Sequence, residues 1–157
     1  MCGGVGYRYK NIKESELRKY YSDDLIKRFK SEDRIESFFW HQKATLPIET
    51  KQGIQLKLWG NKDKDLKLPN TGWARKESLE EGKWNYLHPE LVNIPVEQGY
   101  EKKVWFDFEK GTKGILVERD GEERVYIITS EASEEYKLFT KHNREPLGEK
   151  QMSNNRQ

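Results

Sequence analysis

Apolar residues recur at helical spacing across residues 13–30, where Leu17, Tyr20, Tyr21, Leu25, Ile26 and Phe29 share a stripe. The spacing predicts a helix there, with Ser22-Asp23-Asp24 as an interruption and N-cap. Residues 2–9 read as an extended segment with a flexible, glycine-rich start. Phe38-Phe39-Trp40 opens a buried aromatic stretch. Residues 46–50 and 54–59 then alternate as strands around a Lys51-Gln52-Gly53 turn. A polar loop follows over 61–72, and residues 74–83 carry a short helix closing at Gly82. The second half is strand-rich: 92–96, 100–108, 114–119 and 124–129, with Asp120-Gly121 as a hairpin turn. Residues 133–141 read as a terminal helix. The order implies an α+β fold, with a mostly antiparallel, barrel-like β-sheet and flanking helices. One domain is expected over 2–147, and residues 148–157 read as a polar, disordered C-terminal tail.

Composition changes this picture in few places. The hydrophobic fraction is only 34% and the charged fraction 36%, which alone would suggest disorder. Five Trp, eight Tyr and six Phe supply the large buriable surfaces that disordered chains lack. The 157 residues suffice for one proper core. The net charge of +2 gives a weak overall field, so any nucleic-acid binding must come from a local basic groove. No apolar run approaches the ~20 residues of a membrane span, and no signal-peptide core is visible. These features lead us to expect a cytoplasmic, monomeric protein without membrane contact.

The candidate chemistry begins at Cys2, the single cysteine. It excludes an intramolecular disulfide and a multi-cysteine metal site, and no cofactor or metal is expected. Removal of Met1, favoured by the small second residue, would leave Cys2 at the N-terminus. Thiol and α-amine on adjacent carbons then form a 1,2-aminothiol, which condenses with aldehydes into a five-membered thiazolidine. Both groups are partly nucleophilic near neutrality, with reference pKa values of about 8 and about 8.5. Two further segments stand out: Pro95-Val96-Glu97-Gln98-Gly99-Tyr100-Glu101, and His142-Asn143-Arg144-Glu145-Pro146. Alone, Glu101 reads as a solvated surface glutamate and His142 as a helix cap or surface residue more often than as catalysts.

Taken in order, these segments resemble the SRAP family, the SOS response-associated peptidase domain also known as abasic-site processing proteins. Its members begin Met-Cys-Gly and carry Pro-x-x-Gly-Phe-Tyr-Glu-Trp and His-x-Arg-Met-Pro segments. Here Met1-Cys2-Gly3, Pro95 with Gly99-Tyr100-Glu101, and His142-Asn143-Arg144-Glu145-Pro146 follow that order. Thr129-Ser130-Glu131-Ala132, Trp59-Gly60 and Leu46-Pro47-Ile48 are similar to further family segments. Ala74-Arg75-Lys76-Glu77-Ser78 is similar to the family's Asn-Ala-Arg-x-Glu-Thr, except that Trp73 replaces the asparagine. Asn70, three residues earlier, is carried as a candidate for that asparagine's role. The tryptophan after the family glutamate is Lys102, and the methionine before the proline is Glu145.

The resemblance implies a protein that binds single-stranded DNA and cross-links to abasic sites through Cys2, after autocatalytic removal of Met1. It implies catalytic roles for Glu101 in sugar ring opening and for His142 as general acid/base. It also implies DNA-phosphate contacts at Arg75, Arg144 and Lys76. Trp59 and Trp73 are open to two readings, stacking on a base or packing the core. The alternatives in function are a cysteine peptidase using Cys2 and His142, and a non-catalytic DNA-binding module.

Overall fold

The computed structural model describes residues 2–152. Met1 and residues 153–157 lie outside the described residues, and with them the expected methionine removal and the end of the expected tail. The chain opens with β1 (Gly4–Tyr7), then α1 (Glu14–Leu17) and α2 (Asp23–Glu32). The helical stretch over 13–30 is divided at the expected interruption, with Ser22 as the N-cap of the second helix. Ser22 takes extended backbone, and its hydroxyl oxygen accepts the Leu25 N–H to cap α2. Asp23 and Asp24 in the first turn favour that start through the helix dipole.

Next come β2 (Ile35–Phe38) and the hairpin β3 (Thr45–Thr50) and β4 (Gly53–Leu58), as the alternation predicted. Then β5 (Trp73–Arg75) leads directly into α3 (Lys76–Glu80). The helix expected over 74–83 is shorter because residues 73–75 join a sheet instead. The remaining elements are β6 (Glu90–Ile94), β7 (Gln98–Glu101), β8 (Val104–Phe108), β9 (Thr112–Arg119), β10 (Glu122–Glu131), α4 (Glu134–Thr140), β11 (Arg144–Pro146) and β12 (Lys150–Gln151). The strand expected over 100–108 is a hairpin, because Lys102 and Lys103 both take positive φ (46° and 72°) and turn β7 back onto β8. Asp120-Gly121 makes the expected turn between β9 and β10.

The strands form a sheet in the order β12-β8-β7-β1-β2, and a second in the order β11-β10-β9-β6 with β5 also on β10. All strand pairs are antiparallel except β5 with β10. The fold is α+β and mostly antiparallel, but neither sheet closes, so the barrel is corrected to open sheets. In the first sheet β2 and β12 pair on one side only and remain edges among the described residues.

The first part of the expected tail, up to residue 152, is corrected as well. Residues 150–151 pair with β8, and the Lys150 ammonium binds Glu145 at 2.8 Å and the Pro146 carbonyl at 2.7 Å. The main core contains Val5, Tyr7, Leu46, Phe106, Ile127 and Tyr136. A second cluster packs Trp84, Ile115, Tyr126 and Ile128 against Ala74. Among the described residues no helix is long and apolar enough to cross a membrane.

Candidate active site around Cys2

Cys2 lies at the entrance to β1, in the main core, with no exposure to solvent. Its peptide is held on both sides. The Trp73 indole N–H donates to the Cys2 carbonyl at 2.8 Å, and the Gly3 N–H donates to the Tyr100 carbonyl at 2.8 Å. The Gly3 carbonyl accepts the Phe39 N–H at 3.0 Å. The thiol itself donates to the Gly4 carbonyl at 2.9 Å.

Strand β7 forms the wall beside this thiol, in register with β1 so that Val5 faces Gly99. A Cβ at position 99 would stand 3.0 Å from the Cys2 sulfur and 2.3 Å from the Phe106 ring. Only glycine lets sulfur and ring approach the strand together. Two residues along, Glu101 ends β7 and is buried. Tyr136 on α4 closes the same region, its ring 5.4 Å from Phe106.

Burial dominates the electrostatics. It pushes the Cys2 thiol up to about 12, and the Glu101 carboxylate adds to that rise. Glu101 is also raised, again by burial first. Tyr136 rises far above the usual phenol range for the same reason, with Cys2 and Glu101 contributing. The resting cysteine is therefore a thiol near neutrality, not a thiolate.

His142 follows α4. Its Nδ1 accepts the Arg144 N–H at 3.0 Å, so the proton of the neutral ring sits on Nε2. Burial lowers its pKa, and the Lys102 charge lowers it further. Lys102 lies between Glu101 and His142 in the electrostatics: its ammonium donates to the Lys141 carbonyl at 2.8 Å and counters the rise at Glu101. The β7–β8 turn is thereby tied to the residue preceding His142.

The remaining candidates divide. Arg144 donates to both carboxylate oxygens of Glu77 at 2.7 and 2.9 Å and to the Thr129 carbonyl at 2.9 Å. Its side chain is 12% exposed, and these bonds give it a structural role in place of the expected phosphate contact. Glu77 drops to about 2 through this pairing. Arg75, at the end of β5, and Lys76, at the start of α3, are exposed and accessible to a ligand.

Trp59 is buried, with its N–H on the Gly72 carbonyl at 3.0 Å, so the core reading holds for it. Asn70 is exposed on a loop whose neighbours are anchored elsewhere, Pro69 to the Tyr126 hydroxyl and Thr71 to Asn61. It stands outside the buried Cys2 pocket, where Trp73 holds the Cys2 carbonyl, so Asn70 is dropped.

Three contributors escaped the sequence reading: Trp73 as the residue gripping Cys2, Glu77 as the partner of Arg144, and Trp40. Trp40 is 60% exposed, not buried, and a Cβ on Gly3 would lie 3.2 Å from its ring. The replacement of asparagine by Trp73 beside Ala-Arg was the available signal for the first of these.

Among the described residues no three His, Cys, Asp or Glu side chains gather to hold a metal ion. No family model, curated protein or solved structure matches the chain.

Proposed function

We propose that the chain is an abasic-site processing protein of the SRAP type, which captures abasic single-stranded DNA through Cys2. One observation carries the reading. Residues scattered over the sequence at 2, 73, 99 and 101 meet in space, and the Ala-Arg-Lys-Glu segment is joined to the His-Asn-Arg segment by the Glu77–Arg144 pair. The meeting of these separated segments supports the resemblance.

The chemistry follows from the groups present. Once Met1 is removed, the α-amine of Cys2 adds to the aldehyde carbon of the ring-opened deoxyribose. The carbinolamine loses water to give an imine. The sulfur then adds to the imine carbon while the thiol proton passes to nitrogen, closing the thiazolidine with one water released overall. Glu101, raised by burial, retains a proton to higher pH than an ordinary carboxyl and can pass it to the departing oxygen. His142, neutral because burial lowers its pKa, donates from Nε2 or accepts there. The thiol sits in a pocket beside Gly99 and must leave it to meet the imine carbon.

The test is incubation of the Met1-processed protein with an oligonucleotide carrying one abasic site, followed by a denaturing gel. A heat-stable adduct is expected from the wild type and none from Cys2→Ala. An adduct of equal yield from Cys2→Ala would overturn the reading, and hydrolysis of peptides without any adduct would favour a cysteine peptidase.

A further inference from the structure

The five-stranded sheet has a second face, away from the Cys2 pocket, and its side chains are aromatic. Register places Phe38 on β2 opposite Gly4 on β1, Gly4 opposite Tyr100 on β7, and Tyr100 opposite Trp105 on β8. These side chains form one row across four strands. Phe38 meets the edge of Tyr100 at 5.4 Å, and Tyr100 meets Trp105 at 5.0 Å. The row is continuous because position 4 is glycine. A Cβ there would lie 2.4 Å from the Phe38 ring and 3.3 Å from Tyr100. Trp40 stacks on Phe38 at 4.9 Å and 28°, leaving its other face to solvent.

Charge around the row is mixed, with a small excess of cations. The Arg34 guanidinium lies 5.0 Å over Trp105 and Lys103 stands exposed at the β7–β8 turn, while Asp107 is the acidic group on this face of β8. At the β2 end the row opens into a cleft of about 610 Å³ lined by Phe38, His41, Arg28, Arg34 and Lys43. Glu32 and Glu36 line it too, as exposed partners of Arg28 and Arg34. Half-buried rings ending in the exposed Trp40 and flanked by cations match an unpaired nucleic-acid strand, with bases to stack and phosphates to neutralise.

We propose that this outer face binds undamaged single-stranded DNA, two or three bases stacking on Trp40, Tyr100 and Trp105 with their phosphates toward Arg34, Lys43 and Lys103. The contact of Trp40 with Gly3 brings the end of this track to the segment carrying Cys2. The face would hold the intact strand beside the lesion. The proposal rests on the single-stranded DNA ligand of the reading above, but not on the cross-link.

The probe is a fluorescein-labelled oligothymidylate without lesions, titrated at low salt and followed by anisotropy and tryptophan quenching. Trp40→Ala and Trp105→Ala should each weaken binding about tenfold or more, as expected for loss of one stacked base. Photo-cross-linking of wild type to an iodouracil-containing oligonucleotide covers the case of a variant that fails to fold, and adducts should map to Trp40, Tyr100 or Trp105. Unchanged affinity in the two folded variants, photoadducts elsewhere, or no binding of the undamaged strand would each overturn the proposal. So would dimerisation abolished by Trp40→Ala, which would assign the face to a second copy of the chain. Each result is independent of adduct formation at an abasic site.

Discussion

Cys2 combines a backbone fixed by neighbours with a side chain that is chemically silent at rest. A thiol pushed up to about 12 by burial carries little thiolate at neutral pH, so its reactivity depends on leaving the pocket beside Gly99. Trp73 holds the backbone of the same residue through its bond to the Cys2 carbonyl. Trp73→Phe keeps the aromatic packing against Phe39 and Trp59 but removes the donor. The expected cost is about 1 kcal/mol of unfolding free energy in urea, the ordinary net value of one hydrogen bond. The rate of adduct formation should change by more than the stability does, because the bond sets the position of the reacting residue. Equal rates in the two proteins would remove Trp73 from the site. The sequence pointed to Cys2, Glu101 and His142, but it left Trp73 as a departure from a motif. The Trp73 bond to Cys2 depends on the parallel pairing of β5 with β10, between residues far apart in sequence, which local pattern does not specify.

At the scale of elements, short strands do the positioning. β5 and β11 each span three residues and pair with β10, which brings Arg75 and Arg144 to the same stretch of strand. The Glu77–Arg144 pair then locks α3 to β11. Glu77 falls from 4.5 to about 2 in the folded chain, so the pair adds stability above the unfolded value and loses it as pH falls through about 2. Unfolding followed from pH 6 downward should show the wild type losing an advantage over Glu77→Gln between pH 4.5 and about 2. A parallel decline in both proteins would show that the ion pair contributes nothing, the common fate of exposed pairs. Neither short strand was legible in the sequence, since three residues carry too little periodicity to read. The hairpin β3–β4 and the Asp120-Gly121 turn were legible because alternation and turn residues agree there. The β7–β8 hairpin was missed for the opposite reason: its turn is made by two lysines in the left-handed region, residues that do not signal a turn.

At the scale of the molecule, the first sheet separates two chemistries. Its inner face holds Cys2, Glu101 and Phe106 in the core, and its outer face carries Phe38, Tyr100 and Trp105. The α+β class and the antiparallel character could be read from the order of predicted elements. Closure of the sheet could not, because it depends on pairing at edges that local pattern does not specify. The outer face was hidden too: an aromatic residue looks the same in sequence whether it fills a core or stands on a surface. The central claim remains the N-terminal aminothiol, and intact mass spectrometry of the purified adduct tests it most directly. The account predicts the mass of the Met1-lacking protein plus the oligonucleotide less one water, with peptide mapping at Cys2 and no product when the α-amine is acetylated. An adduct from the acetylated protein, or one mapped to a lysine, would contradict it.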